Sequence, residues 1–244
     1  MVGILTILQE LQVGQVIISK QAESSENYKK FKEIVNEKNI KVLVVGANCE
    51  NSNNTSIEKV NKTLYPQKIQ IEEDLYFDIL WPNNDNLITE NALNNNSIVC
   101  KLNYKEFSML FTGDIEEIAE KQILQKYSNS YSTNDSFNKN NKNSSRYNVV
   151  NSQYNSFKSI LNSTVLKVGH HGSKTSTTIE FLEAVKPQIA LIGVGENNKF
   201  GHPNEGVIKL LENFKCKIYR TDKMGEITIK VDNRQKVKIE KYIE

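Results

Sequence analysis

The stretch "VLKVGHHGSKTST", Val165 to Thr177, joins an apolar run to a run of hydroxyl side chains through two adjacent histidines. The chain of 244 residues has only three histidines, and the third, His202, lies in "KFGHPN". Glycines on both sides of the pair allow the backbone to turn sharply at the end of an apolar strand. The stretch therefore predicts a buried strand, a tight loop that carries imidazoles, and then a helix.

Hydrophobic periodicity extends this pattern of strands and helices over most of the chain. Early strands in hairpins, followed by alternating strands and helices, indicate an α/β sandwich built in layers. Thr177 with Glu180 fits a capping box for a helix that ends before Pro187. The predicted helices lie at 4–11, 24–40, 115–127, 177–185 and 207–214, the predicted strands at 15–19, 41–45, 165–168, 189–194, 216–221 and 225–232, and the predicted hairpins at 68–82 and 94–114.

Composition limits the class of protein. Lys and Arg number 31 against 29 Asp and Glu, and a net charge of +2 argues neither for nor against nucleic acid. Cys49, Cys100 and Cys216 are far apart and odd in number, which indicates buried free thiols rather than a zinc knuckle or a disulfide framework. No apolar run approaches about 18 residues, and no basic segment opens the chain. We therefore expect a soluble chain without a signal peptide or direct membrane insertion.

One segment has a different composition. From about 128 to 157 the chain is rich in Asn and Ser and has almost no aliphatic residues. Such a segment buries too little apolar surface to offset the entropy lost on ordering. We expect a disordered insertion at 128–157 within a single domain of residues 1–244.

The stretch "FTGD" supplies the first candidate site residue. Asp114 directly follows a predicted buried strand and Gly113, at a sheet edge where ligands commonly bind. Its carboxylate fits a metal ligand, and it equally fits the N-cap of the following helix.

The histidine loops supply the other candidates. One imidazole of the pair His170 and His171 fits a metal ligand, while the other forms a hydrogen bond nearby. The alternative is a structural pair at a turn, with the ring nitrogens of both histidines hydrogen-bonded. His202, before Pro203, fits a proton-transferring group, with helix capping or packing as its alternative. Because Asp114 and the histidines all follow strands of the same predicted polarity, we expect them to meet in one cleft.

These segments also carry a resemblance to a known family. In chain order, "ILWP", "NNNSIVCKL", "FTGD", "LKVGHHGS", "FLEAVKPQIALIGVGENNKFGHP" and "IYRTDKMGEITI" resemble the soluble domain of the bacterial competence channel protein ComEC. That domain belongs to the metallo-β-lactamase fold superfamily. The resemblance covers nearly the whole chain outside the insertion, and it implies an αββα sandwich.

The resemblance implies a function and a set of roles. Full-length relatives reside in the bacterial cell membrane and take part in DNA uptake, and the domain is a metal-dependent hydrolase whose expected substrate is a DNA phosphodiester. Asp114 resembles a metal-bridging aspartate, and His170 or His171 resembles a late ligand of zinc or manganese. His202 resembles a residue that lines the active site. We expect His171, His202 and Lys174 to act in catalysis, Lys174 through a phosphate contact.

The family's main metal motif, HxHxDH, does not occur in this sequence. The chain opens with "VGILTILQELQVGQVIIS", at the step that follows this motif in relatives, so the sandwich is expected to be incomplete at its N-terminus. Two or three remaining ligands would hold a metal weakly, which predicts weak or no activity. The alternatives are a non-catalytic remnant or module that binds DNA or protein, and a half-domain completed by another chain. The resemblance implies DNA as a partner, together with a membrane channel portion or a chain that supplies the missing motif.

Overall fold

A computed structural model describes residues 2–20, 25–46, 68–82, 87–129 and 160–243. The predicted insertion at 128–157 therefore lies outside the described residues, apart from its first two positions, which end a helix. Cys49 also lies outside them. The following account concerns the described residues alone.

Two strands and two helices form a unit at the beginning of the chain. The strands β1 (Gln15–Ser19) and β2 (Lys41–Val45) pair in parallel. Helix α1 (Val2–Glu10) precedes β1, and helix α2 (Glu26–Glu37) precedes β2. Apolar side chains of all four elements share one core: Leu5, Leu8, Val16, Phe31, Ile34, Val35, Ile40 and Val42. Ser25 caps α2 by accepting a hydrogen bond from the Tyr28 N–H.

A seven-stranded sheet forms the centre of the structure. Its strands follow chain order: β3 (Lys68–Glu72), β4 (Leu75–Trp81), β5 (Val99–Tyr104), β6 (Phe107–Phe111), β7 (Val165–Lys167), β8 (Ile189–Ile192) and β9 (Lys217–Arg220). Pairing is antiparallel from β3 to β6 and parallel from β6 to β9. The two hairpins predicted from the sequence are thus joined to the predicted parallel strands in one sheet.

The remaining elements cover the two faces of this sheet. They are α3 (Ala92–Asn95), α4 (Glu117–Asn129), α5 (Ile179–Val185), α6 (Glu205–Asn213), α7 (Thr221–Met224) and the hairpin β10 (Ile227–Val231) with β11 (Val237–Lys241). Along β8, Ala190 and Ile192 join the core with α4, α5 and α6, whereas Ile189 and Leu191 pack with the hairpin. This alternation follows from the two-residue period of a strand. The predicted layered α/β fold is confirmed.

Three local predictions need correction. Thr178, not Thr177, caps α5, because its hydroxyl accepts from the Phe181 N–H while Thr177 has a positive φ of 65°. Helix α4 begins at Glu117, three residues beyond Asp114, so the capping interpretation of Asp114 is wrong. Helix α6 begins at Glu205 instead of 207, because Asn204 accepts a hydrogen bond from the Gly206 N–H and starts the helix earlier.

The cysteines and the helix lengths bear on two further expectations. Cys100 is partly buried and Cys216 is buried, and both are free thiols. Burial raises the pKa of Cys100 to about 11, so the reactive thiolate form is scarce at neutral pH. Within the described ranges, no helix combines the length and the apolar composition that crossing a bilayer requires.

A mostly buried ion pair joins β9 to α7 and generates a prediction. Arg220 donates two hydrogen bonds to Asp222, from Nε at 3.0 Å and from a terminal nitrogen at 2.5 Å. These bonds hold the pKa of Asp222 below its ordinary value. An aspartate whose folded-state pKa is lowered stabilises the fold above its unfolded pKa of about 3.9, and this stability is lost as pH falls through the folded-state pKa.

We therefore expect Asp222→Asn to lower the free energy of unfolding by about 1–3 kcal/mol at neutral pH, with the difference shrinking as the pH falls below the unfolded-state pKa of about 3.9. Urea unfolding of both proteins across this pH range measures it. Glu183→Gln, at an exposed position of α5, is the matched control and should change little. A deficit of equal size at every pH would show that the charge of Asp222 is not what stabilises the fold.

Candidate functional site

The parallel strands end at one edge of the central sheet, where the candidate residues collect. Asp114 lies three residues beyond β6, the histidine pair lies three to four residues beyond β7, and Gly193 directly follows β8. Carboxyl ends of parallel strands meet at the same edge, which is where open α/β sheets bind ligands. The sheet polarity thus brings three separate loops together.

The loop after β7 has a backbone that few sequences can adopt. His170 and His171 both have positive φ, 44° and 56°, between Gly169 and Gly172. The His170 N–H donates to the Gly113 carbonyl at 3.1 Å, which ties this loop to the loop after β6. At Gly172, a Cβ atom would lie 2.7 Å from Cβ of Pro203. The histidine loop is therefore packed directly against the loop that carries His202.

A buried carboxylate fixes the far end of the histidine loop. Glu120 on α4 is 1% exposed and accepts hydrogen bonds from the Thr177 N–H at 2.6 Å, the Thr178 N–H at 2.8 Å and the Thr178 hydroxyl at 2.7 Å. The positive φ of Thr177 turns its N–H toward this carboxylate. Helix α4 and the segment before α5 therefore hold each other in place.

The closest pair among the predicted site residues is His171 and Asp114. Nε2 of His171 lies 3.5 Å from Oδ1 of Asp114, and both side chains are nearly half exposed. Nδ1 of His171 is hydrogen-bonded to the Gly193 carbonyl, which can only accept, so Nδ1 carries the proton. In the neutral ring, Nε2 then directs a lone pair toward a carboxylate oxygen. A cation between these two atoms would interact favourably with both.

His170 is held by a second carboxylate, Glu116. Nδ1 of His170 is buried and lies 3.2 Å from Oε1 of Glu116. The two atoms are close, but they do not form a hydrogen bond. The Glu116 carboxylate instead accepts from Asn91 at 2.8 Å, Thr175 at 2.9 Å and Asn95 at 3.3 Å. Burial raises the pKa of Glu116, but these hydrogen bonds and His170 outweigh it, so the net shift is downward. Glu116 therefore stays charged beside His170.

His202 completes the group from the loop after β8. Its ring centroid lies 5.6 Å from that of His170, with an edge-to-face angle of 61°. Asn198 fixes its backbone by accepting from the His202 N–H at 2.9 Å and donating to the His202 carbonyl at 2.7 Å. Burial, followed by the neighbouring His170 and His171, lowers the pKa of His202. The neutral imidazole therefore predominates at neutral pH.

The structure brings four of the five predicted site residues together: Asp114, His170, His171 and His202. Lys174 is exposed and lines a different groove, of about 330 Å³, between the starts of α4, α5 and α6. None of the other four lines that groove. The chemical roles assigned to these residues stay predictions.

Sequence reasoning missed two residues at this edge. Glu116 follows Asp114 by two positions in "GDIEE", and its acidic character was the one available signal. Lys167, on β7, donates from Nζ to the Val168 carbonyl at 3.0 Å, and burial lowers its pKa while the charge of Asp114 opposes that shift. A lysine within a strand is expected to point to solvent, so the sequence did not reveal that Lys167 lies at this site.

The donor set fits a divalent metal in part. A tetrahedral zinc site with ligand bonds of about 2.0–2.2 Å separates two ligand atoms by about 3.4 Å, and Asp114 Oδ1 and His171 Nε2 are 3.5 Å apart. Across the part of the chain that the structure describes, however, no three His, Cys, Asp or Glu side chains group closely enough to hold a metal. The described residues supply two fitting donors rather than a full site.

Comparison with known proteins points to one group of relatives. The chain is 29% identical to the Bacillus subtilis ComE operon protein 3 over 187 residues, 72% of this chain and 20% of that protein. It is 28% identical to the Neisseria gonorrhoeae competence protein ComA over 151 residues, 62% of this chain and 17% of that one.

A third relative, recombination protein 2 of Haemophilus influenzae, is 38% identical over 65 residues, 27% of this chain and 8% of that protein. No family model matches the sequence. These relatives indicate a competence-protein family. The chain spans a fifth or less of their length.

The packing of the two loops generates a prediction. Gly172→Ala should lower the free energy of unfolding by about 1–3 kcal/mol, because its φ of 78° disfavours a side chain and the new Cβ meets Pro203. Gly195→Ala is the matched control in the same region, since nothing lies within 4 Å of its added Cβ. Denaturant unfolding measures both variants. Equal stabilities would contradict the tight contact between the histidine loop and Pro203.

Proposed function

We propose that this chain carries part of the active site of a metal-dependent hydrolase of the metallo-β-lactamase fold, which acts on DNA phosphodiesters during competence. The observation that carries the proposal is the pair formed by Asp114 and His171, whose facing oxygen and nitrogen are 3.5 Å apart. The names of the relatives support the competence role, since one is the competence protein ComA and another is a protein of the ComE operon.

Each residue has a role in this proposal. Asp114 and His171 would hold zinc or manganese, which when bound supplies Lewis acidity and lowers the pKa of water. Between the two histidines that the sequence left as alternatives, the proximity to the proposed ligand Asp114 favours His171. His170, beside charged Glu116, and His202, kept neutral, would orient or transfer a proton. Lys174 is exposed, as a phosphate contact requires, but its groove lies apart from the pair.

The metal would need donors beyond those that the described residues supply. Two donors fit, and a stable zinc site generally uses three or four protein ligands. We propose that an HxHxDH-bearing segment, in another part of a longer polypeptide or in a second chain, completes the site. The second candidate function is a non-catalytic DNA-binding or protein-binding module, which the lack of a three-residue metal cluster among the described residues favours.

A metal-binding and cleavage experiment separates these functions. The 244-residue chain should bind Zn²⁺ or Mn²⁺ weakly and show no metal-dependent cleavage of single-stranded DNA. An HxHxDH-bearing segment from a competence relative, fused or added in trans, should restore both. Asp114→Asn and His171→Asn should each weaken metal binding by about 100-fold or more in the completed protein. This loss exceeds the one expected of a residue that only contacts a metal ligand, which is about 10- to 100-fold in affinity.

Lys209→Ala is the control, because Lys209 forms an exposed ion pair with Glu205 on α6. It should leave metal affinity and cleavage unchanged. Cleavage by the 244-residue chain alone that is abolished by Asp114→Ala would overturn the incomplete-site proposal. Failure of the completed protein to bind metal would favour the non-catalytic module.

A further inference from the structure

An exposed aromatic ring lies at the mouth of the histidine cluster. Phe200, in the loop between β8 and α6, is 82% exposed. Single exposed apolar side chains are common and indicate nothing by themselves. This ring differs because it stacks on the imidazole of His202, with centroids 6.0 Å apart and planes inclined by 19°.

Phe200 is the outer end of a row of rings that leads to the metal-binding pair. His202 meets His170 at 5.6 Å between centroids, and His170 meets His171 at 6.4 Å. His171 in turn faces Asp114. The exposed ring is therefore connected, through side chains in contact, to the site where a phosphodiester would react.

The loop holds this ring in a defined place. Asn198 closes the loop by hydrogen bonds to both backbone groups of His202 and to the Gly195 carbonyl at 3.3 Å. Gly201 has a φ of 69°, which turns the chain between the two stacked rings and which other residues rarely adopt. Lys199, the preceding residue, is also exposed, so the same loop carries a cation next to Phe200 in the sequence.

We propose that Phe200 stacks on an unpaired base of a nucleic-acid strand whose phosphate reaches Asp114 and His171. This inference rests on the proposed function, which brings such a strand to the site. An exposed aromatic face beside a cation is the arrangement with which proteins bind single strands. The bases of a duplex already stack on each other and offer no free face, so the ring selects unpaired bases.

A protein partner is the competing occupant, and the loop argues against it. Apolar docking surfaces are contiguous patches, whereas the exposed neighbours of Phe200 are polar: Glu196, Asn197 and Lys199. Binding of a base needs one exposed ring and gains from a cation in the same loop, and Phe200 and Lys199 supply these. If Phe200 instead bound a protein partner, its removal would not weaken the binding of a base-containing strand more than that of an abasic strand.

The test measures binding without metal, so it is independent of catalysis. Fluorescence anisotropy in EDTA would follow binding of a labelled oligothymidylate about 12 nucleotides long, within the range of about 4–16 nucleotides that one single-strand-binding fold covers. Phe200→Ala should weaken binding about 5- to 150-fold, the effect of losing one stacked base. An abasic strand of equal length should bind wild type and variant alike.

Two further variants keep the result interpretable. Phe200→Trp should retain binding, and its indole emission should be quenched by the oligonucleotide, because the single native tryptophan, Trp81, is fully buried. Tyr242→Ala removes an equally exposed ring, 83% exposed, directly after β11, and should leave binding unchanged.

The outcomes that overturn the inference are distinct from failure of the proposed function. Equal losses on the thymidylate and abasic strands, an equal loss with Tyr242→Ala, or no binding of the thymidylate by wild type would each refute base stacking by Phe200. Base-dependent binding that needs Phe200, in a completed protein that does not bind metal, would refute the hydrolase proposal and leave the stacking inference standing.

Discussion

The geometry of the site depends on the buried carboxylate of Glu120. A carboxylate in this position must be satisfied by hydrogen bonds, because leaving it without donors would cost several kcal/mol. Its three donors belong to Thr177 and Thr178, at the end of the histidine loop, while its own helix begins three residues after Asp114. Movement of the loop away from α4 would break all three bonds together. The distance between Asp114 and His171 is consequently set by the scaffold.

The charges at this edge are arranged so that each imidazole has a different environment. His171 has its proton placed on Nδ1 by the Gly193 carbonyl, and its other nitrogen faces Asp114. His170 lies beside a carboxylate that three neighbouring side chains keep charged. His202, surrounded by rings, is biased toward its neutral form. Three chemically identical side chains thereby acquire separate properties. Under the proposed function, one ring would bind a cation while the others move protons.

The sequence predicted those parts of the structure that follow from local pattern. Alternation along β8 and the glycines around His170 and His171 were sufficient to place strands, loops and their common edge. The cap of α5 was misassigned because Thr177 and Thr178 are chemically alike. The positive φ of Thr177 occurs together with a tertiary contact to Glu120, which the local sequence does not reveal. Glu116 was missed for the same reason, since its importance comes from Asn91, Asn95 and Thr175, which are distant in sequence. Long-range polar contacts leave no periodic signal.

The way in which the site is held also bears on how a metal would bind there. Structural zinc sites form as the protein folds, and the metal supplies much of the folding free energy. Here Glu120, Gly172 and the backbone bond from His170 to Gly113 position the loops through protein contacts alone. Under the proposed function, two ligands are thus preorganised before metal arrives. When another segment supplies the remaining donors, only that segment would need to become ordered, which reduces the entropy lost on completing the site.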